Sequence, residues 1–164
     1  MTTFLKNRDM KFSFHLLLTC IALTACGESG KTTADYRIVP RPGEIAPGDG
    51  GDFELDARTR IVCTGDGDGM RANAEFLAGY VESVVGSAPE ITGPDGLCDD
   101  GRAVILRADA PGKGGEAYEI EVSENRITVS GESDAGVFYG IQTLRKAMGA
   151  AKAAKVLFPA VRIA

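Results

Sequence analysis

Histidine and tryptophan are almost missing from this 164-residue sequence, which has no tryptophan and a single histidine, His15. Because no histidine follows the first 25 residues, Ser-His-Asp and Cys-His nucleophile systems and imidazole-based metal sites are excluded from the remainder of the chain. The lack of tryptophan removes the side chain on which sugar rings usually stack. The composition therefore argues against a complete catalytic centre within these 164 residues.

The first 26 residues have the pattern of an export signal that ends at a lipidation site. Met10-Lys11 gives a short positive start, and the apolar run from Phe12 to Leu23 is too short to span a membrane. Leu23-Thr24-Ala25-Cys26 is similar to the bacterial lipobox, in which the cysteine is acylated and becomes the amino terminus. We expect residues 1–25 to be a lipoprotein signal peptide and Cys26 to carry the lipid. The alternative is an ordinary cleaved signal in which Cys26 is incidental.

A chain that begins at Cys26 would be acidic and held at the membrane by its lipid alone. Residues 1–25 contain three basic and one acidic side chain, which leaves 15 basic and 22 acidic side chains and a net charge of −7. This charge argues against nucleic acid or anionic lipid as a partner. The small polar residues 26–35 predict a lipidated flexible tether, followed by one domain over residues 36–164. Gly27 is not the aspartate typical of inner-membrane retention, so we expect an exported protein on the outer membrane, facing the periplasm or the cell surface.

Two cysteines remain once Cys20 in the signal and Cys26 are set aside. Cys63 and Cys98 close a loop of roughly 36 residues, and in an oxidising compartment an isolated pair predicts a disulfide. Such a bond would stabilise the fold by about 4 kcal/mol through restriction of the unfolded chain. The alternative is two buried free thiols, because sequence alone does not show that the two residues are close.

Hydrophobic periodicity predicts two helices, over residues 68–85 and 134–148, with Gly86 as the carboxyl cap of the first and Ser133 or Asp134 as the amino cap of the second. The predicted strands are residues 53–55, 59–63, 90–92, 103–106, 118–122 and 127–130, of which the last two form a hairpin. The element order predicts an α/β (α+β) two-layer sandwich, one mixed sheet with helices packed mainly on one face. Residues 156–164 look extended and stop without a polar cap, which indicates a chain cut short.

The glycine-rich loop at residues 65–69 has partial features of two ligand sites. It follows a strand and precedes a helix, as a dinucleotide-binding turn does, and its aspartates follow part of the spacing of a calcium loop. Met70 replaces both the third glycine and the third calcium ligand, and Leu77 stands where a calcium loop needs glutamate. We interpret the segment as a flexible loop that caps a helix, and we predict no cofactor and no metal site.

Two segments carry carboxylates close together in the sequence, Asp99-Asp100 and Glu132/Asp134. Acid–base cleavage of a sugar linkage needs two carboxyl groups about 5–9 Å apart around one bond. Asp99-Asp100 are neighbours in a loop, and Asp134 suits a helix cap. We interpret both pairs as solvated loop and cap residues and predict no catalytic residue in this chain.

One stretch of the sequence resembles a known family. Tyr118-Glu119-Ile120-Glu121-Val122, Ile127-Thr128-Val129-Ser130-Gly131 and the segment A-G-V-F-Y-G-I-Q-T-L from Ala135 are similar to the end of the amino-terminal accessory domain of family 20 glycoside hydrolases, the bacterial β-N-acetylhexosaminidases. Ile38-Val39-Pro40-Arg41-Pro42 and the strands over residues 53–63 resemble the start of that domain. The resemblance covers residues 36–163.

The resemblance implies an enzyme whose catalytic (β/α)8 barrel follows this domain and carries an adjacent Asp-Glu pair. A barrel needs about 250 residues, so the barrel is absent from this chain and no catalytic residue can be carried over. We therefore expect the accessory domain of a lipid-anchored exo-β-N-acetylhexosaminidase, truncated before a barrel that binds the glycan substrate. Two alternatives stay open: the accessory domain of a related O-GlcNAcase-like or hyaluronidase-like hydrolase, and a stand-alone structural or binding lipoprotein.

Gly136 and Gly140 lie four residues apart inside the second predicted helix. Glycine weakens a helix interior by about 1 kcal/mol relative to alanine. The pair therefore predicts close packing of this helix against the sheet or a second domain, with simple tolerance as the alternative. We expect this helix to contact the barrel through the two glycines, and the strand after Phe158 to lead into the barrel.

Overall fold

A computed structural model describes residues 30–65, 67–97, 101–109 and 115–164. Within these ranges it has two helices, α1 (Asp68–Val85) and α2 (Asp134–Met148). The strands are β1 (Lys31–Thr33), β2 (Ile45–Pro47), β3 (Phe53–Leu55), β4 (Arg60–Cys63), β5 (Glu90–Thr92), β6 (Ala103–Arg107), β7 (Tyr118–Ser123), β8 (Arg126–Gly131), β9 (Lys155–Phe158) and β10 (Val161–Ile163). Every helix and strand predicted from periodicity is confirmed, with small shifts at some strand ends. Gly86 ends α1 in the left-handed conformation, as its capping role requires.

Seven strands form one mixed sheet in the order β2-β10-β7-β8-β6-β4-β5. The strands from β5 to β8 are parallel, and those from β8 to β2 are antiparallel. Helix α1 packs on β4, β5 and β6, while α2 packs on β7 and β8, and the two helices also touch each other. The predicted α+β class, with its helices on one face of a mixed sheet, is confirmed. No helix in the described ranges is long and apolar enough to cross a membrane.

The main core lies between the helices and this sheet, because side chains alternate between the two faces of each strand. On β7, Ile120 and Val122 are buried under α2, whereas Glu119 and Glu121 point to the open face. Strand β6 is buried on both faces, as its continuous apolar run predicts, because Val62 and Leu97 pack with Ala103 and Ile105 on the open side.

Strands β1, β9 and β3 form a second, three-stranded sheet that the sequence pattern does not predict. Strand β9 pairs in parallel with β1 and antiparallel with β3. Phe53 and Phe158 are fully buried and join the main core. Residues 31–33 therefore belong to the fold, so the tether predicted over residues 26–35 does not extend over them, and residues 26–29 lie outside the described ranges.

The segment after Phe158 does not leave the domain. Strand β10 is inserted between β2 and β7, and Val161 and Ile163 are buried in the main core. Residues 161–163 therefore belong to this sheet, and the continuation of the chain from this strand into a barrel stays a prediction. The apolar residues of this segment are buried within the seven-stranded sheet. The buried residues of the main core run from Ala34 to Ile163.

Candidate functional site

The amino ends of α1 and α2 lie side by side, and Asp134 joins them. The Asn73 Nδ2 atom donates to the backbone oxygen of Asp134 at 2.7 Å, and a methyl group on Gly69 would overlap the Asp134 carboxylate. A negative charge at this place is stabilised by the positive ends of the helix dipoles. Asp134 is thus the first residue of α2 and not its predicted cap, while Asp99 and Asp100 lie outside the described residues.

Ser133 is the amino cap of α2, which confirms one of the two predicted caps. Its Oγ accepts a hydrogen bond from the backbone N–H of Gly136 at 3.3 Å and donates to the backbone oxygen of Gly115. The cap ties the start of α2 to the chain that leads into β7. Its polar contacts are therefore structural.

The loop before α1 borders a cavity of about 330 Å³ at the carboxyl ends of β4 and β5. Arg71 and Glu75 line this cavity and are paired with each other at 3.1 Å. Thr92 also lines it, but a methyl group on Gly96 would overlap its hydroxyl, so this hydroxyl faces the turn after β5. Asp66 lies outside the described residues. The described residues hold no group of three or more His, Cys, Asp and Glu side chains that could bind a metal.

Cys63 lies at the end of β4 and is buried. Burial raises the pKa of its thiol above the ordinary value. Its predicted disulfide partner, Cys98, and the predicted lipidation site, Cys26, lie outside the described residues. The disulfide and the lipid attachment therefore stay predictions.

The fold brings together two carboxylates that sequence reasoning missed, Glu54 on β3 and Asp56 just after it. Arg102 binds both: its Nη1 atom lies 3.3 Å from Glu54 Oε1, and its Nη2 atom lies 2.8 Å from Asp56 Oδ2. Lys155 on β9 donates to Glu54 Oε2 at 3.0 Å. Arg58 binds Asp56 at 3.0 Å. We call Glu54, Asp56, Arg58, Arg102 and Lys155 the carboxylate cluster.

The carboxylate cluster holds both acids in their ionised form. The hydrogen bond from Lys155 lowers the pKa of Glu54. Partial burial acts to raise the pKa of Asp56, but hydrogen bonds from Arg58 and the charge of Arg102 leave it lowered. A general acid in a glycosidase needs the opposite, a carboxyl group whose pKa is raised so that it stays protonated. The cluster therefore links the small sheet to the chain entering β6 and cannot supply an acid catalyst.

The two glycines of α2 face the sheet. A Cβ atom on Gly140 would lie 2.5 Å from the Cγ1 atom of Val129, and one on Gly136 would overlap the backbone oxygen of Ala117. Both residues are buried. The prediction of close packing is confirmed for the domain's own sheet. The expectation that these glycines contact a barrel is wrong, because the sheet already occupies their side of the helix.

The outer side of the helix pair carries Phe76 and Tyr80 of α1, Phe138 and Tyr139 of α2, and Arg145, which we call the aromatic strip. The ring centroids of Phe76 and Phe138 are 5.5 Å apart, and those of Phe138 and Tyr139 are 6.1 Å apart. The Arg145 guanidinium lies 5.8 Å from the Phe76 centroid and 5.6 Å from that of Tyr80. Phe76 is 39% exposed and Tyr139 is 43% exposed. The signal was present in sequence, since these aromatics fall outside the apolar stripes of both helices.

Residues 35–164 match the sequence model described as glycosyl hydrolase family 20, domain 2. The chain belongs to this family. A β-N-acetylhexosaminidase from Cellulomonas fimi is 28% identical to it over 129 residues, which are 79% of this chain and 26% of that protein. The structure of the family 20 β-N-acetylhexosaminidase from Streptomyces coelicolor A3(2) matches with a TM-score of 0.65 at 22% identity, over 78% of this chain and 26% of that one. A family 20 β-N-acetylglucosaminidase matches with a TM-score of 0.54 at 32% identity, over 77% and 21%.

These matches confirm the resemblance to the accessory amino-terminal domain of family 20 hexosaminidases. The matched region begins at Asp35, one residue before the predicted domain boundary. The chain spans about a quarter of the length of the relatives that it matches.

Proposed function

We propose that this chain is the non-catalytic accessory domain of a lipid-anchored exo-β-N-acetylhexosaminidase that removes terminal N-acetylhexosamine residues from glycans. One observation carries the proposal: residues 35–164 match domain 2 of the family, yet the chain spans only about a quarter of the length of its hexosaminidase relatives. The substrate pocket and the catalytic carboxylates then belong to the barrel domain, which needs about 250 residues of its own.

The chemistry of the described residues supports a non-catalytic role for this domain and a catalytic role for the barrel. Hydrolysis of a glycoside needs a carboxyl group that can donate a proton to the leaving group, while the nucleophile is a second carboxylate or, in substrate-assisted family 20 enzymes, a group of the substrate itself. The two carboxylates that the fold assembles, Glu54 and Asp56, are neutralised by Arg102, Arg58 and Lys155. Asp134 lies at the start of α2, and its backbone oxygen accepts a hydrogen bond from Asn73 of α1. The lipid anchor is proposed from the sequence at Cys26.

The test of activity uses purified residues 30–164 and an aryl N-acetyl-β-glucosaminide. We expect no hydrolysis above a buffer blank, because the two carboxylates that the fold assembles, Glu54 and Asp56, have lowered pKa values and are held ionised. The Cellulomonas fimi hexosaminidase serves as the positive control. Turnover that persists after removal of contaminating hydrolases would overturn the proposal that the chain is non-catalytic.

The test of the anchor uses the full chain expressed in a bacterium that processes lipoproteins. We expect Cys26→Ser to move the protein from the membrane fraction to the soluble periplasmic fraction, because the substitution removes the acylated thiol. Cys20→Ser, within the apolar run, is the matched control and should leave the protein in the membrane fraction. Unchanged fractionation of the Cys26 variant would remove the lipid anchor from the proposal.

A further inference from the structure

The outer face of the small sheet carries a group of basic side chains. Lys31 of β1 and Lys155 of β9 are register partners, and both point outward because Val156 and Phe158 of β9 are fully buried on the other side of the sheet. Lys152 is exposed in the segment that enters β9. Neither Lys31 nor Lys152 forms an ion pair with any described residue. We call these two lysines, together with the carboxylate cluster, the basic face.

The basic face is positive on a chain whose total charge argues against contact with anionic lipid. Residues 30–164 contain 15 basic and 21 acidic side chains. Five of the basic and two of the acidic side chains belong to the basic face, which leaves 10 basic and 19 acidic side chains elsewhere. The two acids are already bound by the cations of the carboxylate cluster. The face therefore has a net charge of +3, which is the sign that attracts lipid phosphate groups.

The chain enters the domain at the basic face. Gly30 directly precedes β1, and its backbone oxygen accepts a hydrogen bond at 3.0 Å from the N–H of Ala154, the residue before Lys155. Four residues along the chain separate Gly30 from Cys26, so the proposed lipid attachment site lies within about 14 Å of Gly30 even when this segment is fully extended. Glu28 in the segment leaves the region with two excess positive charges. A lipid on Cys26 therefore brings this face, and not the opposite end of the domain, to the membrane surface.

We propose that the basic face lies on the membrane that holds the lipid of Cys26 and binds the phosphate groups of anionic lipids there. The inference rests on the lipid anchor of the proposed function and adds the orientation of the domain. The short distance between Cys26 and β1 and the sign of the local charge support it independently. The domain then has a second contact with the membrane besides the lipid, which is the only contact expected from the total charge.

The absence of tryptophan from the chain allows single tryptophan probes of this orientation. The full chain, purified in its lipidated form, carries either Thr33→Trp, two residues after Lys31 on β1, or Ala135→Trp, in the first turn of α2, and both positions are exposed. Strand β8 runs parallel to β6 and carries the chain about 17 Å from the level of Arg102 towards α2, so position 135 lies at the far end of the domain. The vesicles contain three parts phosphatidylcholine and one part phosphatidylglycerol. Energy transfer from tryptophan to dansyl groups on the lipid headgroups measures the distance of each position from the membrane.

We expect energy transfer on these vesicles to be at least threefold more efficient from position 33 than from position 135. Lys31→Gln combined with Lys152→Gln should reduce this ratio at least twofold, because the two substitutions remove unpaired positive charge from the basic face. Vesicles of phosphatidylcholine alone should have the same effect, because their headgroups carry no net charge. Arg71→Gln combined with Arg107→Gln is the matched control: it removes the same charge from exposed ion pairs at the far end of the domain and should leave the ratio unchanged.

A longer tether separates the effect of charge from that of distance along the chain. With about ten Gly and Ser residues inserted after Ser29, the anchor no longer restricts which face meets the membrane. Position 33 should still give at least twofold more efficient transfer than position 135 on the anionic vesicles. On phosphatidylcholine alone, the two positions of the lengthened chain should give equal transfer.

The remaining outcomes distinguish the inference from the proposed function. If the membrane-bound protein gives equal transfer from both positions, the proposed orientation is overturned and the lipid anchor stands. If the ratio is the same on both kinds of vesicle and in the lysine variant, binding of phosphate groups by the basic face is overturned. If the purified chain does not associate with vesicles, or if Cys26→Ser associates equally well, the lipid anchor of the proposed function fails and the inference fails with it.

Discussion

Gly136 and Gly140 show how two missing side chains set the distance between a helix and a sheet. Glycine is disfavoured inside helices because its backbone loses more freedom on folding. Here the cost is offset by contacts that no larger residue allows, since α2 lies directly on Ala117 and Val129. Gly79 in α1 is not required by packing, because a Cβ atom at this position would meet no atom within 4 Å.

This contrast predicts opposite effects for one kind of substitution. Gly140→Ala should lower the free energy of unfolding by about 2 kcal/mol, because an overpacked core costs more than the gain in helix propensity. Gly79→Ala should raise it by about 0.5–1 kcal/mol, because nothing opposes the gain. Urea unfolding of residues 30–164 measures both. If both substitutions stabilise the domain, the interface between α2 and the sheet can accommodate a methyl group at position 140.

Glu54 and Asp56 should make the stability of the domain depend on pH. Their pKa values lie below the ordinary 4.5 and 3.8, so the folded state binds these protons more weakly than the unfolded chain does. The stability that they contribute is present above the ordinary values and is lost as pH falls through the folded values. Asp35, whose pKa is lowered to about 2 by its hydrogen bonds from Arg37, acts in the same direction.

We therefore expect the urea midpoint of residues 30–164 to be level from neutral pH to about pH 5 and to fall below about pH 4. Arg102→Gln should lower stability at neutral pH by about 1 kcal/mol, because it removes the cation shared by Glu54 and Asp56. The same substitution should reduce the fall of the urea midpoint at acidic pH. Arg126→Gln, on the open face and outside the carboxylate cluster, is the matched control. If the urea midpoint falls equally steeply with acidity in both variants, the carboxylate cluster does not cause the pH dependence.

At the scale of elements, the last two strands complete both sheets. Strand β9 is the centre of the small sheet, and β10 lies inside the large one between β2 and β7. The two strands are consecutive in the chain, so residues 155–163 join the sheets covalently as well as through the core. Removing β10 would expose the edges of both neighbouring strands and two buried side chains.

Truncation after Pro159 should therefore destabilise the domain by more than about 3 kcal/mol, from the loss of burial of Val161 and Ile163 alone. Arg162→Ser leaves the strand in place and changes only its exposed side chain, so its effect should stay within about 0.5 kcal/mol. Circular dichroism during urea unfolding gives both values. A truncated chain as stable as the Arg162 variant would contradict the assignment of β10 to this sheet.

For the molecule as a whole, the predicted bond between Cys63 and Cys98 would cross-link β4 to the part of the chain that precedes β6. Residues 30–164 contain only these two cysteines. Purified under oxidising conditions and unfolded without reductant, the chain should show no titratable thiol, whereas Cys98→Ser should show one. Reduction of the unsubstituted chain should lower its stability by about 4 kcal/mol, because the unfolded chain regains its freedom. Two thiols in the unreduced, unfolded chain would mean that the pair is not bonded.

The sequence by itself determined the helices, most of the strands, the caps and the family. These features depend on residues close together along the chain: apolar side chains three and four apart in α1 and α2, alternation in β7 and β8, and Ser133 three residues before the N–H that it caps. Local periodicity and local hydrogen bonds are readable without knowledge of which distant segments meet. The family motif around α2 is likewise one continuous stretch.

Only the tertiary structure decided which distant segments meet. Glu54 contacts Arg102, 48 residues away, and Lys155, 101 residues away, and neither pairing has a signature in the local sequence. Strand β1 is too short to be recognised until its partner is known, and the extended pattern of residues 156–164 does not show which strands β10 joins. The aromatic strip exists because the amino ends of α1 and α2 lie side by side, which places Phe76 and Phe138 in contact across two helices. Strand partners and helix neighbours are chosen by burial of the whole core, which is a property of the assembled chain and not of any one segment.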